Sequence, residues 1–75
     1  MTGRDSVFAR KLRGLRGEHD MSQEDLATAV GSSIASVQNW EKGETMPTLR
    51  TSIKIADLFN VSLDLLVGRS PQEVS

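Results

Sequence analysis

Residues 21–43, MSQEDLATAVGSSIASVQNWEKG, decide the fold of this chain. Ser22, followed at the third helical position by Asp25, has the form of a capping box. In that motif the serine hydroxyl accepts from the Asp25 amide, and the carboxylate accepts from the serine amide. Met21 before the cap and Leu26 after it can close a hydrophobic staple over the same end. Leu26, Ala27 and Val30 then fall on one face at helical spacing. Gly31 follows the last of them, where a residue of positive φ turns the chain out of a helix. Ser32 and Ser33 are alternative caps for a second helix, roughly Ile34 to Lys42, which Gly43 stops.

Two short helices joined by a tight glycine-containing turn form a helix-turn-helix. The stretch resembles the Cro and phage-repressor type, the lambda-repressor-like DNA-binding domain. The residues that carry the likeness are Ser22-Gln23-Glu24-Asp25-Leu26-Ala27, Gly31, Ser33, Val37, Trp40-Glu41-Lys42-Gly43, Pro47, Lys54-Ile55-Ala56 and Asn60-Val61-Ser62-Leu63-Asp64-Leu65-Leu66. They run in order through most of the chain without a large gap. The likeness is specific for fold and weaker for function, because one fold hosts several activities.

The flanking sequence is consistent with an all-α domain of five short helices. A first helix runs from Asp5 or Ser6 to about Glu18, with Val7 or Phe8, Leu12 and Leu15 inward. Arg10, Lys11 and Arg13 read as its exposed cations, and Gly14 as a place where a neighbouring helix approaches closely. His19-Asp20 reads as a turn, with the histidine neither a ligand nor a base. Pro47 prevents a helix from continuing through the loop after Gly43. Thr48 caps a fourth helix to about Asn60, with Leu49, Ile53, Ala56 and Phe59 on its core face and Ile55 and Leu58 to the side. Ser62 caps a short fifth helix ended by Gly68, with Val61 and Leu66 as its staple. Residues 1–75 are expected to be one domain, ordered from about 5 to 69 with a polar tail over 70–75.

A 75-residue chain is near the size at which one hydrophobic core is only just sufficient. There is no cysteine, which excludes disulfide staples and thiolate metal sites and fits a reducing cytoplasm. No apolar run approaches the ~20 residues a membrane span needs. Net charge is −1, divided as +2 over residues 1–20 and −3 over residues 21–75. That balance is unusual for a nucleic-acid binder, and it implies modest, salt-dependent affinity carried by a few well-placed cations. There is no nucleophile–base pair, no metal-ligand spacing and no glycine-rich phosphate loop, so the sequence gives no support for an enzyme, a cofactor or a metal site.

In a helix-turn-helix the second helix enters the major groove and its N-terminal residues meet base edges. Here those positions are Ser33, Ile34, Ala35, Gln38 and Asn39, whereas Val37 and Trp40 fall on the opposite, inward side. Gln38 can pair bidentately with adenine, and Asn39 can do the same or hold a phosphate. Ile34 and Ala35 offer apolar surface to thymine methyls. The family often has arginine, lysine or glutamine where Ile34 and Asn39 stand. Without a guanine-reading arginine on this helix, a preference for A·T pairs is expected. Phosphate contacts are expected from Gln23 (by resemblance), Ser36, Lys42, Thr45 and Thr48. The resemblance also pairs Arg16 with Glu41, structurally first and as a phosphate contact second. Dimerisation on two half-sites is the family habit, and Leu58, Leu63, Leu66 and Val67 are the candidate contacts.

The leading expectation is therefore a sequence-specific, repressor-type regulator of double-stranded DNA. The alternative is a protein-interaction module, coactivator-like or an antitoxin with a protein partner. It draws on the acidic balance and the apolar Ile34-Ala35 tip.

Overall fold

The computed structural model describes residues 7–68, and within them the chain forms five helices and no strand. They are α1 (Val7–Glu18), α2 (Gln23–Val30), α3 (Ile34–Lys42), α4 (Leu49–Phe59) and α5 (Leu63–Val67). The proposed caps of the first helix, Asp5 and Ser6, lie outside the described residues. Each of the other four helices starts on a hydroxyl. Ser22, Ser33, Thr48 and Ser62 are extended, and each accepts a hydrogen bond from the amide three residues on. This satisfies one of the amides that a helix start leaves unpaired. At Ser22 the reciprocal bond is present too, with Asp25 N donating to Ser22 Oγ at 2.9 Å and Ser22 N to Asp25 Oδ2 at 3.0 Å.

The same four helices end on left-handed residues, Gly31, Gly43, Asn60 and Gly68. Gly68 has a second reason to be glycine: a Cβ there would stand 2.5 Å from Val7 Cγ1, and its φ is +81°. The turn after α1 uses Asp20 at φ 53°. In that turn His19 serves the fold, its ring 4.9 Å from Phe59 and its Nδ1 2.9 Å from the Leu15 carbonyl.

One core holds the helices together. Phe8 and Leu12 of α1 meet Leu26, Ala27 and Val30 of α2, Val37 and Trp40 of α3, Ile55, Ala56 and Phe59 of α4, and Leu66 of α5. The two staple residues Met21 and Val61 pack against its edge, with Leu15 and Leu63. One alternative left by the sequence is resolved and three expectations are corrected. On α1 the inward residue is Phe8, while Val7 is exposed. On α4 the buried stripe is Ser52, Ile55, Ala56 and Phe59, so Ile55 belongs to the core, and Leu49 and Ile53 face outward. Leu66, counted above among the dimer contacts, is fully buried and offers no surface, and Leu63 packs partly against the core; Leu58 and Val67 are exposed. Gly14 admits no neighbour, since a Cβ there would meet nothing within 4 Å.

Candidate nucleic-acid interface

The turn between α2 and α3 is Gly31-Ser32-Ser33. Gly31 in the left-handed region gives its amide to the end of α2, and Ser32 N donates to the Ala27 carbonyl at 2.8 Å. Ser33, not Ser32, caps α3. Burial of Val37, Trp40 and Glu41 fixes the rotation of α3 about its axis. Ile34, Ala35, Gln38 and Lys42 are thereby turned outward, with Asn39 half-buried at the side. The rotation brings together on one exposed face most of the residues picked for base contact. Ser33 stands at the tip, but its hydroxyl is engaged: it accepts from Ser36 N and donates to Ser36 Oγ, both at 3.0 Å. Thr48 is occupied in the same way, with Thr51 N and Thr51 Oγ1 both at 3.2 Å.

Behind this face runs a chain of side-chain hydrogen bonds. The Glu41 side chain is 4% exposed and that of Arg16 23%. Arg16 Nε donates to Glu41 Oε2 at 2.7 Å and Arg16 Nη2 to Glu41 Oε1 at 3.1 Å, a bidentate fork. Arg16 Nη1 donates to the Met21 carbonyl at 2.9 Å, tying down the residue before the α2 cap. Hydrogen bonding to Glu41 raises the Arg16 pKa above the usual arginine range, against the lowering effect of burial. Gln23 Nε2 donates to Glu41 Oε1 at 3.0 Å, and Gln38 Nε2 makes a longer contact of 3.4 Å to Gln23 Oε1. Arg13, taken from sequence as a solvated cation, donates through Nη1 to the Glu41 carbonyl in the last turn of α3. Cations at a helix C-terminus are favoured by the dipole as well.

A side-chain amide has two N–H donors and an acceptor oxygen. Gln38 uses one N–H on Gln23, which leaves one donor and the carbonyl oxygen, the pair that meets adenine N7 and N6 in the major groove. Gln23 retains one N–H at the first residue of α2, beside amides oriented for an anion. Arg16 has spent three of its five N–H donors on the protein. An open cavity of about 560 Å³ between α1 and α5 involves none of these residues.

Residues 12–66 match the family described as Helix-turn-helix. The chain belongs to that family. A relative of this helix-turn-helix protein is the cryptic phage CTXphi transcriptional repressor RstR of Vibrio cholerae, 36% identical over 59 residues. That match takes in 79% of this chain and 53% of the repressor, so the chain spans about half of that relative's length. Among solved structures, the DNA-binding domain of the P22 c2 repressor superposes with a TM-score of 0.76 at 26% identity, covering 91% of this chain and 88% of that one. Hydroxypropylphosphonic acid epoxidase from S. wedmorenis superposes equally well, with a TM-score of 0.76 at 28% identity, covering 89% of this chain but only 36% of the enzyme. The same helices thus occur in a repressor domain and as about a third of an enzyme. The family alone does not assign the activity.

Proposed function

We propose that this protein is a transcriptional regulator of repressor type that binds double-stranded DNA in the cytoplasm and acts by binding, not catalysis. The observation that carries this is the outward face of α3. It holds Ile34, Ala35 and Gln38, with Gln38 held from behind through Gln23 to the Arg16–Glu41 pair. A helix buried on one side and presenting short apolar groups and an amide on the other suits the major groove. Ser33 and Asn39 flank this face as further base contacts, Ser33 through its backbone because its hydroxyl is committed to Ser36. Gln23, Ser36, Lys42, Thr45 and Thr48 supply phosphate contacts, Thr48 through its backbone because its hydroxyl is committed. Arg16 acts as a positioning residue, and its remaining donors can reach a phosphate. Two copies bind half-sites about 34 Å apart.

The test is selection of bound duplexes from a random pool, followed by titration of the enriched sequence at several salt concentrations. An A·T-containing inverted repeat whose log affinity falls with log salt is the expected result. A pool that stays random, with no binding near physiological salt, would overturn the reading.

A further inference from the structure

The cavity between α1 and α5 has no part in the DNA-binding reading, yet its make-up is that of a ligand site. Its volume is about 560 Å³, inside the ~300–1,000 Å³ range of small-molecule pockets. Val7 and Leu15 on one side and Val61 and Leu65 on the other give it apolar walls. Gly14 also lines it, and a Cβ built there would meet nothing within 4 Å. A glycine inside a helix weakens it relative to alanine, and no packing among the described residues requires one here. What Gly14 does provide is a bare stretch of backbone at the floor of the hollow.

The charges around the cavity are unequal along its length. Arg10 and Lys11 line it toward the start of α1, and Glu18 lines it at the end of that helix. Lys11, Gly14 and Glu18 follow one another at three- and four-residue spacing, so they form one stripe along α1. Lys11 and Glu18 stand about 10.5 Å apart along the axis at 1.5 Å per residue. A lysine or arginine in such a place can line an apolar wall with its methylenes and keep its charge at the rim.

We propose that this cavity binds a small amphipathic carboxylate, a linear apolar chain with a single acid head. The head pairs with Lys11 and Arg10. The chain lies over Gly14, between Leu15 and the Val61 and Leu65 wall, and Glu18 repels a second anionic group from the far end. An apolar pocket with a few polar groups that fix orientation is the ordinary form of such a site. A second copy of the chain is a poorer occupant, because a two-fold contact sets the same surface against itself, and one hollow does not fill another. This proposal is independent of the DNA-binding reading, and its failure leaves that reading untouched.

The experiment titrates the full chain with decanoate, well below micelle formation, and follows backbone amide shifts by NMR. Saturable shifts at Gly14, Val61 and Leu65 are expected, with a Kd of about 0.1–1 mM, as suits a ligand this small. Decyltrimethylammonium, with the opposite head charge, and decanedioate, with a second carboxylate, should each bind about fivefold or more weakly. Lys11→Glu should weaken decanoate about threefold or more. Gly14→Leu, which fills the floor, should abolish the saturable shifts while its thermal midpoint stays at or above that of wild type. Shifts that do not saturate, that fall elsewhere on the molecule or that survive Gly14→Leu would overturn the site. Equal binding of decanoate and decyltrimethylammonium would overturn the role of the cationic rim. Shifts at the same amides that grow with protein concentration alone, and vanish in Gly14→Leu, would give the groove to a second copy instead.

Discussion

Glu41 is the residue at which three helices are tied together. Its carboxylate takes donors from Arg16 on α1 and Gln23 on α2, and its carbonyl takes Arg13. A carboxylate this buried is expensive to leave unpaired. Arg16→Met should cost about 3 kcal/mol, the lower end of the range for breaking a buried pair, because Gln23 remains as a partner of the carboxylate. Thermal unfolding reads this as a midpoint lowered by more than about 10 °C, and a shift within a degree or two would show the pair to be dispensable. The sign of any pH effect follows from the raised Arg16 pKa. A base whose pKa rises on folding contributes stability at every pH below its unfolded value and loses it only above the folded one. Arg16 therefore adds no pH dependence to stability anywhere in the neutral range. Gln38→Ala should relax selectivity at one A·T position by about 1–3 kcal/mol, and Gln23→Ala should relax the same position less, by freeing the Gln38 amide. Selection repeated with each variant measures both, and an effect of Gln23→Ala spread evenly over all positions would argue for a phosphate role alone. The pairing of Arg16 with Glu41 was legible by resemblance. The Gln23–Gln38 link and the use of Arg13 were not, since they join residues 15 and 28 positions apart that no local spacing connects.

Helix ends were the most legible elements, because a hydroxyl cap and a left-handed stop act within a few residues of chain. The phase of α4 was not. Leu49, Ile53, Ala56 and Phe59 satisfy a helical stripe, and so do Ser52, Ile55, Ala56 and Phe59. Hydropathy favours the first because serine is not apolar, yet Ser52 is small enough to lie buried beside the core. The energetic difference between the two stripes is testable. Ile55→Ala should destabilise by about 2–5 kcal/mol, as expected for emptying a fully buried site, while Ile53→Ala should stay within about 0.5 kcal/mol. Denaturant titration of the two variants side by side would reverse this assignment if Ile53 proved the costly one. Gly14 sits mid-helix with open space around it, so it carries the glycine penalty without a packing reason. Gly14→Ala should stabilise by about 0.5–1 kcal/mol, and a loss in the same titration would reveal a neighbour at that surface.

At the scale of the whole molecule, the question raised by the proposed function is how a chain of net charge −1 would hold a polyanion. Total charge could not answer it from sequence, because what matters is which cations remain available after folding. Arg13 and Arg16 are committed to Glu41, which leaves Lys42, Arg50 and Lys54 exposed beside or beyond the reading helix. Of these, Lys42 is the proposed phosphate contact, and with the remaining donors of Arg16 it would make two cationic contacts per copy, a slope of about −2 in log affinity against log salt. That is shallow, and it places much of the affinity on contacts that salt does not screen. Lys42→Ala should flatten the slope by about 1 per copy and weaken all duplexes alike. Binding isotherms for wild type and variant, taken at matched salt on the single half-site, measure it directly. An unchanged slope would mean that Lys42 points away from the backbone, and the docking of α3 would have to be rotated about its axis to bring Arg50 or Lys54 to the phosphates instead.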